Sequence, residues 1–269
     1  MTTPPAIDLD LITHLYRTHR DDLARVRDQQ REQHANADPA MTPQLDDLEA
    51  EITYLLLRHH RPHNVVEIGT YYGWSTSWIL SALRDNDTGH LHSFDIVDHA
   101  PRHVPEHLAQ DRWTFTKGDV RAKIAHMPAH TDYLFIDAAH NGWFARWYIH
   151  HLLPTLPAHI PISVHDVFHQ RYALPFTEGA VVLKWLTNNT TDYFTASAAR
   201  APHHHQMLND LKTELGLDTP VRESLHNPMI FFRMPARPRR RRTPSATGGS
   251  PSEHSPVSWR HWSESFHPG

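Results

Sequence analysis

The sequence predicts an α/β fold with a mostly parallel sheet of seven strands, helices on both faces and a helical N-terminal extension. Two observations predict it. From residue 63 onward, short apolar runs alternate with helical segments, whereas before that point the apolar residues recur at helical spacing. Strands that alternate with helices pair mostly in parallel, and the helices then cover both faces of the sheet.

The alternating region divides into seven strands with one helical segment between each successive pair. The predicted strands are NVVEIG, HLHSFDIV, WTFTKGD, DYLFIDAAH, IPISVHDV, DYFTASAA and NPMIFFRM. The predicted helices are STSWILSALR, PEHLAQ, VRAKIAHM, WFARWYIHHLL, EGAVVLKWL and QMLNDLKTEL. This order predicts one continuous α/β domain over residues 63–235.

Residues 1–62 form the predicted helical extension. Its first helix has an apolar face at Ile12, Leu15, Tyr16, Leu23 and Val26. After the break HANADPAMTP, Thr42 is expected to be the N-cap of a second helix, with Pro43 at its first position. Such an extension either caps the active site or pairs subunits in a homo-oligomer.

Charge and composition set the C-terminal residues 236–269 apart. From Pro235 onward there are six arginines and two glutamates, a net charge of +4, which leaves −8 for residues 1–234. The segment is rich in Pro, Ser, Arg and Gly, and this composition predicts disorder. The acidic body argues against nucleic acid as the main partner.

The chain has 269 residues and no cysteine, which excludes disulfides, thiolate nucleophiles and cysteine-ligated zinc. Its N-terminus, MTTPPAIDLD, lacks a basic segment followed by an apolar one. No apolar run approaches the roughly 18 residues of a membrane span. These features predict a cytoplasmic protein with no membrane partner.

The turn after the first predicted strand reads VVEIGTYYGWST and contains Glu67, Gly69 and Gly73. Glycine lets the backbone turn sharply there and lets a ligand approach the main chain. The following helix N-terminus offers free N–H groups. The spacing is E-x-G-x-x-x-G rather than G-x-G-x-x-G, which disfavours a dinucleotide-dependent oxidoreductase.

This stretch resembles motif I of class I S-adenosylmethionine (SAM)-dependent methyltransferases, which have a Rossmann-like fold. Asp95 ends the second strand, where the family's acidic residue accepts hydrogen bonds from the ribose hydroxyls. Asp119 follows the third strand, where the family contacts the adenine amine, and the aromatic ring of Tyr71, at the motif I turn, is expected to cover the cofactor. The resemblance implies that SAM contacts Glu67, Gly69, Tyr71, Gly73, Asp95 and Asp119.

A second set of polar residues follows the fourth and fifth strands. Asp137 and His140 come after YLFI, and His165 and Asp166 come after ISV. Ligands of open α/β sheets bind outside the carboxyl ends of the strands, so these side chains should meet. Histidine suits proton abstraction near neutral pH, and paired aspartates suit a hard cation such as Mg²⁺.

The D-x-x-H of Asp137 and His140 resembles a narrower group, the metal-dependent O-methyltransferases of natural-product pathways, of the macrolide-sugar and cephalosporin type. The resemblance implies that Asp137 and Asp166 bind the metal and that His140 is the general base. His165 stands where the group has an acid. Either the site has one carboxylate fewer, or it prefers Mn²⁺ or Fe²⁺, with His165 as a ligand, or it holds no metal.

The predicted activity is SAM-dependent O-methylation of a small molecule, plausibly a specialised metabolite, assisted by a divalent metal, by a histidine base, or by both. One alternative is metal-independent N- or O-methylation, with His140 as the base and Asp137 on the substrate. A second is a SAM-binding protein without catalysis that acts as a regulatory or scaffolding subunit. A small-molecule substrate is the expected partner.

Overall fold

The computed structural model describes residues 4–37, 41, 43–169, 171–222 and 228–236. These residues contain seven strands: β1 (Asn64–Ile68), β2 (His90–Asp95), β3 (Trp113–Lys117), β4 (Tyr133–Ile136), β5 (Pro161–Val164), β6 (Tyr193–Phe194) and β7 (Ile230–Arg233). They form one sheet in the order β3-β2-β1-β4-β5-β7-β6. β1 to β5 pair in parallel, and β7 runs antiparallel to both β5 and β6. The predicted mostly parallel, seven-stranded sheet is confirmed.

Helices precede the sheet and connect its strands. They are α1 (Leu9–Thr18), α2 (Arg20–Ala35), α3 (Asp47–His60), α4 (Trp74–Asn86), α5 (Ala100–His103), α6 (Glu106–Ala109), α7 (Val120–Lys123), α8 (Gly142–Trp147), α9 (Glu178–Asn188) and α10 (Pro202–Glu214). A π-helical turn at Tyr148–Leu152 continues α8. None of the helices in the described part of the chain is long and apolar enough to cross a membrane.

The strand order reverses direction at β1, which lies between β2 and β4. In register, Ile68 at the end of β1 pairs with Phe94 of β2 and with Ile136 of β4. Ile136 pairs in turn with Val164 of β5. The residues that follow these strands therefore share one edge of the sheet, beside the switch in strand order, which is where ligands bind in open α/β sheets.

The N-terminal helices differ from the prediction at two places. The first predicted helix is two helices, α1 and α2, separated at His19. The second begins at Asp47 rather than at Pro43, and Thr42 lies outside the described residues. Asp46 and Glu49 form a capping box that satisfies the first free N–H groups of α3, and this outweighs the Thr-Pro signal.

A buried cluster of charges joins α2, α3 and α10. Glu51 of α3 is fully buried and accepts hydrogen bonds from the Tyr16 hydroxyl at 2.7 Å and from Lys212 Nζ at 3.0 Å. Arg27 forms an ion pair with the same carboxylate. Removing one member of such a buried group costs about 3–5 kcal/mol, because its partners keep unpaired charges. The extension is thereby fixed to the domain's late helix α10.

The apolar faces of the extension are covered within the chain. Ile12, Leu15 and Tyr16 of α1 are at most 1% exposed, and they belong to the same core cluster as Tyr133 of β4 and Phe231 of β7. Homo-oligomerisation through these helices therefore stays a prediction that would have to use other faces. The C-terminal segment predicted to be disordered, apart from Ala236, lies outside the described residues.

Candidate active site

A cavity of about 590 Å³ opens at the carboxyl ends of β1 to β4. Its volume falls within the range typical of small-molecule sites, roughly 300–1,000 Å³. Residues after four strands and the start of α4 form its walls, including Gln44, Gly69, Thr70, Tyr71, Trp74, Phe94, Asp95, Ile96, Asp119, Asp137, His140 and Phe144. The cavity thus lies at the switch point of the sheet.

The β1 turn fits tightly against the end of β4. Gly69 has a φ of +90°, and a Cβ atom there would lie 1.9 Å from the backbone oxygen of Asp137. Gly73, the N-cap of α4, has a φ of +87°, and its Cβ would collide with Val104 at 2.4 Å. Both glycines are required by conformation and space, but Gly73 lies behind the cavity wall rather than in it.

Glu67 is fully buried beneath this turn and does not line the cavity. Its carboxylate accepts hydrogen bonds from the hydroxyls of Ser75 at 2.7 Å, Thr76 at 2.9 Å and Ser93 at 2.6 Å. Burial raises its pKa to about 7 against the effect of these donors. The predicted cofactor residue Glu67 therefore ties β1, β2 and α4 together below the cavity floor.

Asp95 organises the β1 turn from the neighbouring strand. Its Oδ2 accepts hydrogen bonds from the backbone N–H of Thr70 at 2.7 Å and of Tyr71 at 2.8 Å. Asp119 caps α7 and pairs with Arg121, whose side-chain hydrogen bond lowers the pKa of that carboxyl. Of the six predicted cofactor residues, the structure brings Gly69, Tyr71, Asp95 and Asp119 to one cavity.

Asp137 and His140 line the other end of the cavity, and Asp166 lies close to both, as the sequence predicts. One ligand atom from each lies within 4.8 Å of the other two. His140 Nε2 lies 3.6 Å from Asp137 Oδ1, and His140 Nδ1 lies 3.4 Å from Asp166 Oδ2. His140 and Asp166 both have positive φ, of 43° and 52°. Non-glycine residues held in this conformation cluster at functional sites.

His165 is buried behind this group. Its Nδ1 lies 3.1 Å from Asp137 Oδ1 and 3.5 Å from Asp166 Oδ1, and its Nε2 lies 3.3 Å from Glu49 Oε2. The approach to Asp137 is not aligned for a hydrogen bond, so Nδ1 has no hydrogen-bond partner among the described residues. Burial opposes a positive charge on His165, but the carboxylates of Asp137 and Glu49 outweigh it and raise its pKa well above the ordinary value.

Two buried acids in this site were missed by the sequence reasoning. Glu178, at the start of α9, accepts a hydrogen bond from the Tyr148 hydroxyl at 2.8 Å, and its Oε2 lies 3.7 Å from His140 Nδ1. No sequence signal pointed to Glu178. Gly179 follows it, and a Cβ there would lie 1.8 Å from the backbone oxygen of Val167. That contact presses α9 against the segment after β5. The second acid, Glu49, had no signal beyond its place in the capping box.

Charge in this site is strongly coupled. Burial opposes the ionised form of Asp137, but the neighbouring imidazoles of His165 and His140 lower its pKa. Burial likewise opposes a charge on His140, but Glu178, Asp137 and Asp166 raise its pKa. Burial raises the pKa of Glu178, against the effect of His140 and Tyr148. The site therefore concentrates carboxylates that positive charge must stabilise.

The donor set fits a divalent cation. Asp137, His140 and Asp166 each offer one ligand atom within 4.8 Å of the others, and His165 Nδ1 lies 3.1 Å from Asp137 Oδ1 and 3.5 Å from Asp166 Oδ1. Two ligands at right angles around a metal with bonds of about 2.1 Å are separated by about 3 Å. The buried Nδ1 of His165, which faces the carboxylates of Asp137 and Asp166, supplies a further ligand atom once a bound cation has displaced its proton.

The strand order, the switch-point cavity and the turn after β1 together define a class I methyltransferase fold. A family model described as a methyltransferase domain matches residues 66–167, from β1 through the segment after β5. No curated protein sequence matches the chain. Residues 66–167 are therefore similar to a methyltransferase domain, and the described chain has the fold of class I methyltransferases.

Solved structures of two O-methyltransferases share this fold. One is TomG from Streptomyces achromogenes, involved in tomaymycin synthesis and solved with SAM, which is 14% identical, with a TM-score of 0.51 and coverage of 80% of this chain and 90% of that chain. The other is an O-methyltransferase from Bacillus cereus solved with S-adenosylhomocysteine, which is 13% identical, with a TM-score of 0.52 and coverage of 84% of this chain and 100% of that chain. At these identities the similarity establishes the fold.

Proposed function

We propose that this protein transfers the methyl group of SAM to a hydroxyl group of a small molecule, and that a divalent cation and His140 assist the reaction. The observation that carries the proposal is the meeting of Asp137, His140 and Asp166 within 4.8 Å at one end of the cavity. The opposite end is formed by the turns after β1, β2 and β3, which include Gly69, Asp95 and Asp119.

In the proposed arrangement, Asp95 binds the ribose of the cofactor and the loop of Asp119 contacts the adenine. Tyr71, 42% exposed and packed edge to face against Tyr72 at 4.5 Å, covers the cofactor. Asp137 and His140 line the same cavity as these residues. Methyl transfer from a sulfonium is an in-line displacement, so the protein contributes mainly by positioning the two reactants and excluding water.

The hydroxyl nucleophile must lose its proton as the new bond forms. His140 lines the cavity, and its side chain is 42% exposed, so it is open to a substrate and is the proposed general base. Phe144 packs against the same end of the cavity and limits access of water. A divalent cation bound at Asp137, Asp166 and His165 would lower the pKa of a coordinated hydroxyl.

A second candidate function is methyl transfer without metal. It is favoured by the raised pKa of His165, because a protonated imidazole between Asp137 and Glu49 supplies positive charge within the site. In that case His140 alone accepts the proton. The two candidates differ in whether chelation stops turnover.

The test is transfer of labelled methyl from SAM to a library of small hydroxyl and amine compounds by the full chain, with and without EDTA. We expect product from at least one hydroxyl compound, loss of turnover in EDTA and recovery with added Mn²⁺ or Mg²⁺. Full turnover in EDTA would refute the metal assistance and support the second candidate. Methylation confined to amines would refute the O-methyltransferase proposal.

The proposal extends to the metabolic role of the protein and to its location in the cell. We place the activity in specialised metabolism, supported by the shared fold of TomG, an O-methyltransferase involved in tomaymycin synthesis. We place it in the cytoplasm, because a chain without cysteine is compatible with a reducing compartment. Products identified by mass spectrometry after deletion of the gene from its host would test the first, and fractionation of host cells would test the second.

A further inference from the structure

The first turn of α3, in the N-terminal extension, reaches the candidate metal site. Glu49 is 2% exposed, and three groups contact its carboxylate. Oε1 accepts a hydrogen bond from the backbone N–H of Met229 at 3.0 Å, and Oε2 accepts one from the backbone N–H of Asp46 at 3.2 Å. The same Oε2 lies 3.3 Å from Nε2 of His165. The carboxylate is therefore held in place by main-chain groups while it faces the imidazole.

This contact determines which nitrogen of His165 is available. A carboxylate only accepts hydrogen bonds, so Nε2 carries the hydrogen that points at Glu49. The other nitrogen, Nδ1, then points at Asp137 and Asp166. The side chain of His165 is only 6% exposed, and its Nδ1 has no aligned hydrogen-bond partner among the described residues.

Such an arrangement is typical of histidine ligands in metal centres. One ring nitrogen donates its hydrogen to a carboxylate, which fixes the orientation of the ring, and the other nitrogen binds the metal. His165 has the orienting carboxylate, the open nitrogen and two carboxylate oxygens at 3.1 and 3.5 Å as neighbouring ligand atoms. Nε2 thus faces the carboxylate held by the helical extension, and Nδ1 faces the two carboxylates that follow the strands.

We infer that Glu49 is the positioning residue that makes His165 a metal ligand through Nδ1, and that the Glu49–His165 pair gives the centre a preference for Mn²⁺ or Fe²⁺ over Mg²⁺. The inference rests on the proposed metal-assisted function. Imidazole nitrogen is a better ligand for transition metals than for Mg²⁺, which favours oxygen. The helical extension is then a structural part of the metal centre, and it sets which ion binds.

The test is direct metal binding by the full chain without substrate. Electron paramagnetic resonance measures the Kd of Mn²⁺, and competition with Mg²⁺ gives the ratio of the two Kd values. Glu49→Gln keeps the size of the side chain and one acceptor oxygen for Met229. Its amide N–H₂ donates where the carboxylate accepted, so Nε2 becomes the acceptor and Nδ1 carries the hydrogen. We expect the Mn²⁺ Kd to rise about 10- to 100-fold.

Two further variants sharpen the result. His165→Asp replaces the nitrogen ligand by an oxygen, and we expect the preference for Mn²⁺ over Mg²⁺ to fall about tenfold or more. Asp46→Ala removes the other half of the capping box without touching His165. It serves as the matched control, expected to lower the melting temperature while leaving the Mn²⁺ Kd within about threefold of wild type.

The outcomes separate the inference from the function it rests on. Failure of the wild-type chain to bind Mn²⁺ would refute the metal-assisted function and the inference together. Tight binding by wild type with an unchanged Kd in Glu49→Gln would overturn the role of Glu49 alone. An equal loss of binding in Asp46→Ala and Glu49→Gln would also overturn it, because the effect would then come from the helix and not from the carboxylate.

Discussion

The charged groups at the two ends of the cavity differ in their partners. At the end formed by β1, β2 and β3, Asp95 accepts backbone N–H groups, Glu67 accepts three hydroxyls and Asp119 pairs with Arg121. At the end formed by β4 and β5, the carboxylates face imidazoles. There the described residues leave His165 Nδ1 and Glu178 Oε2 buried without a hydrogen-bond partner.

The two ends therefore have different requirements. The first end is organised by the chain itself, and it therefore forms a preorganised pocket for a ligand of fixed shape. The second end is electrostatically incomplete, because a buried polar atom without a partner costs about 1–3 kcal/mol. A bound cation or substrate would complete it. Four substitutions test this contrast.

The largest effect is expected at Asp137, which contacts both His140 and His165. Asp137→Ala should lower kcat by about 10³-fold, because a metal site is worth several kcal/mol of transition-state stabilisation. The Kd of SAM should stay within a few-fold, measured by calorimetry. Asp132→Asn, at the opposite end of β4, is the control and should keep wild-type activity. An equal loss of SAM binding in Asp137→Ala would assign Asp137 to the cofactor.

The next largest effect is expected in the free energy of unfolding, from Glu67 at the end formed by β1, β2 and β3. Glu67 has a pKa of about 7 in the folded protein against 4.5 ordinarily, so the folded chain holds this proton more tightly than the unfolded chain. Its contribution to stability is full below pH 4.5 and is lost as the pH rises through 7. Glu67→Gln removes this dependence.

Urea unfolding at pH 4.5 and pH 8 measures the result for Glu67. Relative to wild type, we expect Glu67→Gln to gain on the order of 3 kcal/mol in the free energy of unfolding between the two pH values. The exposed Glu106→Gln is the control and should follow wild type at both. A constant difference between Glu67→Gln and wild type would show that Glu67 ionises normally in the folded state.

A smaller effect is expected at Glu178. Glu178→Gln keeps an acceptor for Tyr148 but removes the charge that faces His140. We expect kcat to fall about 10- to 100-fold, with the KM for SAM unchanged, because the base loses the partner that orients it. Tyr148→Phe should cost less, since it removes only the hydroxyl. An unchanged kcat in Glu178→Gln would leave Glu178 with a packing role.

The smallest effect is expected at Asp95. Asp95→Asn should weaken the proposed charge-assisted hydrogen bonds to the ribose, each worth about 1.5–3 kcal/mol, while the backbone contacts of the turn retain an acceptor. We therefore expect the Kd of S-adenosylhomocysteine to rise roughly tenfold by calorimetry. Asp98→Asn on the same loop, paired with Lys117 at the surface, is the control. Equal Kd values in both variants would argue against a ribose contact at Asp95.

Much of the fold could be predicted from the sequence because it depends on local patterns. The seven strands coincide with the short apolar runs of the sequence, and Gly69 marks the sharp turn at the end of β1. The predicted start of α3 at Pro43 was wrong because two capping signals compete, and the Asp46–Glu49 capping box is the one that forms. Their relative strength depends on packing that the local sequence does not encode.

The candidate site was predicted in part for a similar reason. Asp137, His140 and Asp166 follow strands, so sheet topology alone brings them together. Glu49 lies 116 residues from its partner His165, and Glu178 reaches the site through the path of α9. No periodicity or spacing links such residues. Their place depends on how helices outside the sheet pack, which is a property of the folded chain.

The long-range contacts of α3 also have a consequence for synthesis. Glu49 lies 180 residues before Met229, whose N–H it accepts, and Glu51 lies 161 residues before Lys212. At about 5–20 residues per second, a ribosome needs roughly ten seconds or more to make the intervening chain. During that interval α10 and β7, which pack against the apolar faces of α1 and α3, have not yet been made. These faces are then accessible to chaperones. The candidate metal site is therefore among the last parts of the nascent protein to be completed.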